Sequence, residues 1–377
     1  MELAALRDLL IRWADINSGS SNLDGLERMR QALVAEFRTV SHAQLESLPL
    51  EGTTARAVRV LIKPSAPTQL LLSGHYDTVY GAHHAFQRCT VLDNDTLRGP
   101  GVADMKGGIV VMIAALREFL ATPNASRLGF DILLTPDEEI GSPGGRQLIE
   151  SIARSRQHSA ALVFEPARGN GDLVRTRKGT GVFTLTCHGR AAHAGRDSGA
   201  GCNAILALAE FLPQVAELGR DLDGVSVNVG NIRGGGAVNI VPDFAEAQID
   251  VRTTRAGVDA EVTECLHALA EPINQRPGYR IVITGGFNRP PKEITPADEQ
   301  LFATWAQCGR DVGVNLSWHD IGGAGDANLI AAAGLPTIDG LGPVGDNLHS
   351  SEEFIRTSSL VERARVAARF LERLSGS

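Results

Sequence analysis

The chain has 377 residues, 43% hydrophobic and 21% charged, which suits two domains or one large domain carrying an insertion. Its formal net charge of -8 excludes the basic face that nucleic-acid binding needs, and no apolar stretch approaches the length that spans a bilayer. Cys89, Cys187, Cys202, Cys265 and Cys308 are odd in number and widely spaced, with no C-x-x-C. That argues against a disulfide framework or a thiolate zinc site, and for free thiols in a reducing compartment. Met1-Glu2-Leu3-Ala4 opens no signal-peptide pattern, so the cytoplasm is the expected location.

In chain order, apolar spacing predicts helices over Leu3 to Ile16 and Gly25 to Phe37. Gln69 to Ser73 reads as a strand buried on both faces, Met105 to Leu120 as a helix, and Phe130 to Thr135 as a second buried strand. Gly145 to Arg154 follows as a helix and Ala160 to Phe164 as a strand. This alternation predicts an α/β fold, a mostly parallel sheet covered by helices. The middle of the chain changes character. Val182 to Cys187, Val225 to Asn231, Ala245 to Arg252 and Tyr279 to Thr284 read as strands, with helices at Ala204 to Leu218 and Val258 to Leu269. The order strand, helix, strand, strand, helix, strand predicts a ferredoxin-like α+β domain inserted into the first. The expected division is 1–178, 179–286 and 287–377. After Pro290-Pro291 the α/β pattern resumes: a helix from Ala297, a strand near Val314, a helix from Ala327, a strand near Pro336 and a last helix from Ser358.

Chemistry-bearing residues gather where the buried strands end. The first strand runs into Gly74-His75-Tyr76-Asp77. At the carboxyl end of a parallel strand a His can ligate a metal through one ring nitrogen, while Asp77 accepts a hydrogen bond from the other. Gly99-Pro100-Gly101-Val102-Ala103-Asp104 leads into a helix; alone, Asp104 reads as a helix cap. The stretch fits neither the phosphate-loop nor the dinucleotide fingerprint. Asp137-Glu138-Glu139-Ile140-Gly141-Ser142 and Phe164-Glu165-Pro166 follow the next two buried strands, and Leu348-His349-Ser350-Ser351-Glu352-Glu353 lies near the C-terminus. Clustered carboxylates repel unless a cation balances them. Imidazoles and carboxylates without thiolate suit catalytic zinc, cobalt or manganese, and this many ligands suit a pair of ions. His83 and His84 lie near His75 with no assigned role and read as surface residues.

Together these motifs resemble the zinc-dependent aminoacylase and glutamate carboxypeptidase family of metallopeptidases, to which acetylornithine deacetylase and succinyl-diaminopimelate desuccinylase also belong. The resemblance covers nearly the whole chain, insertion included. It implies two Zn2+, with Co2+ or Mn2+ as substitutes: His75 and Glu165 on one ion, Glu139 and His349 on the other, Asp104 bridging. It further implies that Asp77 orients His75, that Glu138 is the general base, and that the Asp104–Met105 peptide is cis. The insertion resembles the family's lid and dimerisation domain, implying a homodimer. There His193, in Gly189-Arg190-Ala191-Ala192-His193-Ala194-Gly195, helps to stabilise an oxyanion in the partner's active site. Asn239, Arg252 and Arg289 are implied substrate-binding residues, Arg289 as a bidentate clamp on a free carboxylate. Gly99-Pro100-Gly101, Phe164-Glu165-Pro166 and the Asp137–Ser142 run look most like the glutamate carboxypeptidase branch. The alternatives are an N-acyl-amino-acid deacylase and a non-catalytic metabolite-binding relative.

Overall fold

The computed structural model describes residues 2–155 and 157–376. The chain forms two compact units. The first comprises the chain up to Thr176, Ile294–Ile321 and the chain from Gly325 onward; the second comprises Arg177–Glu293 with Gly322–Ala324.

The first unit is built on an eight-stranded sheet. Across it run Ala43–Pro49, Arg56–Ile62, Leu128–Thr135, Thr68–His75, Ala160–Val163, Thr337–Asp339, Leu173–Arg177 and Trp318–Ile321. The four strands from Leu128–Thr135 to Thr337–Asp339 are parallel. Every residue of Leu128–Thr135 and Ala160–Val163 is buried, as expected of strands with helices on both faces. The helix Lys106–Leu120 is buried around nearly its whole circumference. It lies between the sheet and the helices Leu3–Ala14 and Ser358–Gly376, which is where a helix apolar all round must sit. Gly108 has no room for a side chain, because a Cβ there would run into the Phe164 carbonyl.

The structure differs from the sequence reading at the sheet's margins. The antiparallel pair Ala43–Pro49 and Arg56–Ile62 was not foreseen, since its outer strand alternates half-buried and exposed positions and lacks a strong apolar pattern. The strand expected near Val314 lies at Trp318–Ile321. Val314 instead donates its N–H to the Gly309 carbonyl at 2.8 Å, closing the end of the helix Pro296–Asp311.

The second unit is a four-stranded antiparallel sheet in the order Val225–Gly234, Phe244–Thr253, Gly179–His188, Arg280–Arg289. Numbered in chain order these strands lie 2-3-1-4, the ferredoxin-like arrangement. The helices Ala204–Asp221 and Val258–Asn274 cover the sheet, and Phe183, Leu185, Phe211, Ile249 and Leu266 form its core. The last strand extends beyond the expected Thr284 to Arg289; Gly285 and Gly286, both at positive φ, obscure the strand pattern there. Among the described residues, no helix is long and apolar enough to cross a membrane.

Candidate active site

Three parallel strands deliver their carboxyl ends to one edge of the first unit's sheet. His75 is the last residue of its strand and pairs in register with Thr135. The ladder runs on through the Tyr76 N–H to the Thr135 carbonyl at 2.9 Å. On the other side the Phe164 N–H reaches the Ser73 carbonyl at 3.2 Å, which sets Glu165 beside His75. Beyond Thr135 the chain makes a short helical turn, Glu138–Ile140, closed by Gly141 at φ 90 with its N–H on the Glu138 carbonyl at 2.8 Å. His349 arrives from the far end of the sequence on a hairpin. Gly345–Asp346 pairs with Phe354–Arg356, which pairs in turn with Thr96–Arg98, and that strand leads directly into the loop carrying Asp104. His349 sits in the left-handed region at φ 61, a strained conformation for a side-chain-bearing residue. The turn that holds it is tied by Ser350 Oγ on the Asn347 carbonyl at 2.7 Å and the Glu353 N–H on the Ser350 carbonyl at 3.1 Å.

The five expected ligand residues converge as two triads that share one member: His75, Asp104 and Glu165, and Asp104, Glu139 and His349. His75 Nε2 lies 3.0 Å from Asp104 Oδ1 and 3.7 Å from Glu165 Oε1. His349 Nε2 lies 3.3 Å from Asp104 Oδ2 and 3.2 Å from Glu139 Oε2. These spacings suit metal ions. Ligands about 2.0–2.2 Å from a tetrahedral zinc stand roughly 3.3–3.6 Å from one another. Asp104 turns one oxygen to each triad, as a bridging carboxylate must. The Asp104–Met105 peptide is cis.

The electrostatics favour cations at the same place. Unit charges 4 Å apart interact by about 4 kcal/mol at an effective dielectric of about 20, so three close carboxylates strongly attract positive charge. Burial alone would lower the pKa of His75, but hydrogen bonds with Asp104 and Asp77 outweigh it and hold the ring well above its ordinary value. Hydrogen bonds with Asp104 and Glu139 raise His349 to about 10. Burial would raise Asp104, yet the two imidazoles hold it below the usual carboxylate range. Glu139 is pushed up by burial and then by the charge of Asp104.

Asp77 is fully buried and does more than the sequence reading gave it. Its Oδ1 faces His75 Nδ1 at 3.2 Å. The same carboxylate accepts the N–H groups of Glu138 and Glu139, each at 3.1 Å, and the Ser20 hydroxyl at 2.7 Å. One side chain thus fixes both a ring orientation and the turn of the two glutamates. Glu138 is half-buried and Glu139 belongs to a triad, so the adjacent carboxylates are placed differently. Asp326 anchors the far side of that turn, accepting from Thr135 Oγ1 at 3.0 Å and Ser142 Oγ at 2.5 Å. Lys106, fully buried, donates to the carbonyls of Trp13 at 3.2 Å and Ile16 at 2.9 Å. The sequence marks Gly322-Gly323-Ala324-Gly325-Asp326 only as a loop that the family resemblance places at the border of the pocket, and it gives no role to Lys106. The available signal was a charged residue inside an apolar setting: Lys106 opens a helix that carries no other charge before Arg117, and Asp326 opens the helix Asp326–Ala332.

The remaining expected residues lie in the second unit. His193 pairs with Ile240 across a short ladder, and the Ala194 N–H meets the Asn239 carbonyl at 2.9 Å, so His193 and Asn239 are neighbours. Arg252 and Arg289 both lie opposite Thr180, on either side of its strand. Arg289 is buried, whereas Arg252 is half-buried and forks onto Asp250 at 2.6 and 2.7 Å. In the first unit, His84 Nδ1 accepts the Phe86 N–H at 3.0 Å, a loop contact; neither it nor His83 joins the cluster.

The sequence pattern of the peptidase family M20/M25/M40 matches residues 71–373. Carboxypeptidase G2 of a Pseudomonas species is 26% identical over 380 residues, covering 98% of this chain and 89% of that protein. The succinyl-diaminopimelate desuccinylase of Alkalilimnicola ehrlichii is 29% identical over 322 residues, covering 81% of this chain and 83% of that protein. Among solved structures, a tripeptidase from Staphylococcus aureus superposes with a TM-score of 0.81 at 18% identity, over 100% of both chains; at that identity the likeness speaks for the fold.

Proposed function

The chain belongs to the peptidase family M20/M25/M40, metal-dependent hydrolases of peptide and acyl-amino-acid bonds, and within it we propose a two-zinc enzyme that releases a C-terminal glutamate-like residue from an N-acyl or N-peptidyl substrate. The observation that carries this reading is the pair of His and carboxylate triads sharing Asp104. His75, Asp104 and Glu165 would hold one ion, and Asp104, Glu139 and His349 the other. Such ions supply Lewis acidity and bring the pKa of a water toward neutrality. The chain's own groups do the rest. Asp77 holds the His75 ring and the Glu138–Glu139 turn. The Glu138 carboxylate takes a proton from the attacking water and passes it to the leaving nitrogen. Across the proposed dimer, His193 is the proposed oxyanion donor for the active site of the partner subunit, and Arg289, with Asn239 and Arg252, the proposed recognition group for the substrate carboxylate, which guanidinium matches bidentately.

The similarity to carboxypeptidase G2 across 98% of the chain supports the carboxypeptidase branch. The desuccinylase, at 29% identity, favours a second reading as a deacylase of small N-acyl amino acids. A release assay decides between them: zinc-loaded protein against a panel of N-acyl and N-peptidyl amino acids, with free amino acid quantified. Turnover of folyl-, acyl- or peptidyl-glutamate is expected. Preference for N-acetyl or N-succinyl amino acids moves the enzyme to the deacylases. Chelator should abolish turnover and zinc or cobalt restore it; full activity in a metal-free sample overturns the mechanism.

We further propose a homodimer formed through the second unit. Its support is the edge strand Val225–Gly234, which among the described residues is paired on one side only, with Val229 and Ile232 exposed and Leu206 exposed on the neighbouring helix. An open, apolar edge of this kind is a template for pairing with another chain. Light scattering should give twice the chain mass, and Ile232→Asp should shift it toward the monomer. A monomeric wild type removes this assignment.

A further inference from the structure

The ligands arrive on separate segments, and one side chain outside both triads joins three of those segments. Glu353 is 1% exposed. Its Oε1 accepts the N–H groups of Ala103 at 2.9 Å and Asp104 at 3.1 Å; its Oε2 accepts the Gly101 N–H at 3.2 Å and meets the Tyr80 hydroxyl at 2.8 Å. That hydroxyl also lies 2.7 Å from the carbonyl oxygen of Ser350, the residue after His349. The main chain of Glu353 repeats the connection. Its carbonyl accepts the Gly99 N–H and its N–H donates to the Ser350 carbonyl, each at 3.1 Å. The Asp104 loop, the His349 turn and the segment following His75 are therefore tied at one carboxylate.

Asp104 is the residue for which such a tie matters most. It presents one oxygen to His75 and the other to His349, so a small rotation of its loop misplaces it for both triads together. A carboxylate is also the group the loop calls for. It offers acceptors only, whereas an amide would set an N–H against one of the three loop N–H groups.

We propose that Glu353 is the positioning residue of the metal site: it fixes the Asp104 carboxylate between the two cation positions and locks it to the His349 turn. This rests on the two-metal reading above. Glu353 touches neither substrate nor metal and acts through Asp104. Residues that support metal ligands from behind typically contribute about 10–100-fold in metal affinity or activity, and Glu353 supports the one ligand that both ions would share.

The test is a zinc titration against a competing chelator, with the full-length wild type, Glu353→Gln and Tyr80→Phe. Thermal melts and kcat and KM are measured on the same samples. Glu353→Gln should fold and hold zinc at least about tenfold more weakly, with kcat reduced and KM little changed. Tyr80→Phe should show a smaller loss of the same sign. A folded Glu353→Gln that melts earlier but binds zinc as the wild type does makes the residue merely structural and overturns the proposal. If Glu353→Gln does not fold, Tyr80→Phe decides, because it removes one hydroxyl and keeps the ring; wild-type affinity there overturns the proposal equally. A wild type that binds no zinc fails at the earlier step, taking the two-metal reading with it.

Discussion

Glu138→Gln is expected to lower kcat by about 10³-fold, within the range a general acid–base residue supplies, while metal content stays at the wild-type level. The expectation follows from the division between two adjacent glutamates. Glu139 stands in a triad with Asp104 and His349, 3.2 Å from the His349 ring, whereas Glu138 is in neither triad. The two share a turn held by Asp77 through both backbone N–H groups. That hold depends on the main chain, so exchanging the Glu138 side chain leaves it in place. Gln has the shape of Glu and cannot accept the proton, so the substitution removes the base and little else. Metal analysis beside steady-state kinetics separates the outcomes. An unchanged kcat places the base elsewhere. A fall in bound metal makes Glu138 a ligand. Glu139→Gln is the contrasting control, expected to lose metal and activity together.

How much of this could be read beforehand depended on what the chain shows locally. The central strands are short apolar runs, and the residues where the polarity returns, His75, Asp137 to Glu139 and Glu165, stand out because the contrast is sharp. The order of the second unit was legible for a similar reason: Phe244–Thr253 alternates in burial, and its neighbouring helices keep a helical period. The sheet margins gave less, because edge strands such as Ala43–Pro49 need only part of one face apolar. Asp104 could not be told from a helix cap by its surroundings in the sequence. What distinguishes it is the convergence of His75 and His349 on its two oxygens, a contact across the fold, and the motif resemblance supplied what local pattern could not. Glu353 closes the run Leu348 to Glu353, and nothing local sets it apart from its neighbour Glu352. Its burial comes from the hairpin that pairs Phe354–Arg356 with Thr96–Arg98, and nothing nearby in the sequence announces that pairing.

Asp104→Asn carries the other large expectation: loss of tight binding at both metal positions and a fall in kcat of at least about 10³-fold, beyond the 10–100-fold that a supporting residue costs. Glu165→Ala serves as the comparison. Glu165 belongs to the His75 triad alone, and its removal leaves Asp104, Glu139 and His349 together, so that variant should keep one tightly held ion and lose the other. Asp104→Asn removes the shared carboxylate. It leaves His75 with Glu165 and His349 with Glu139, two donors at each position where a catalytic zinc ordinarily has three protein ligands. Stoichiometry measured by chelator competition distinguishes the two variants directly: near zero tightly bound ions for Asp104→Asn, one for Glu165→Ala. If Asp104→Asn retained one ion at wild-type affinity, the carboxylate would serve a single position and the bridging arrangement would be wrong. If Glu165→Ala lost both, the two positions would be coupled through something beyond Asp104. The Glu138–Glu139 turn is the first place to look, since Asp77 ties it to His75 and so connects the triads by a second route.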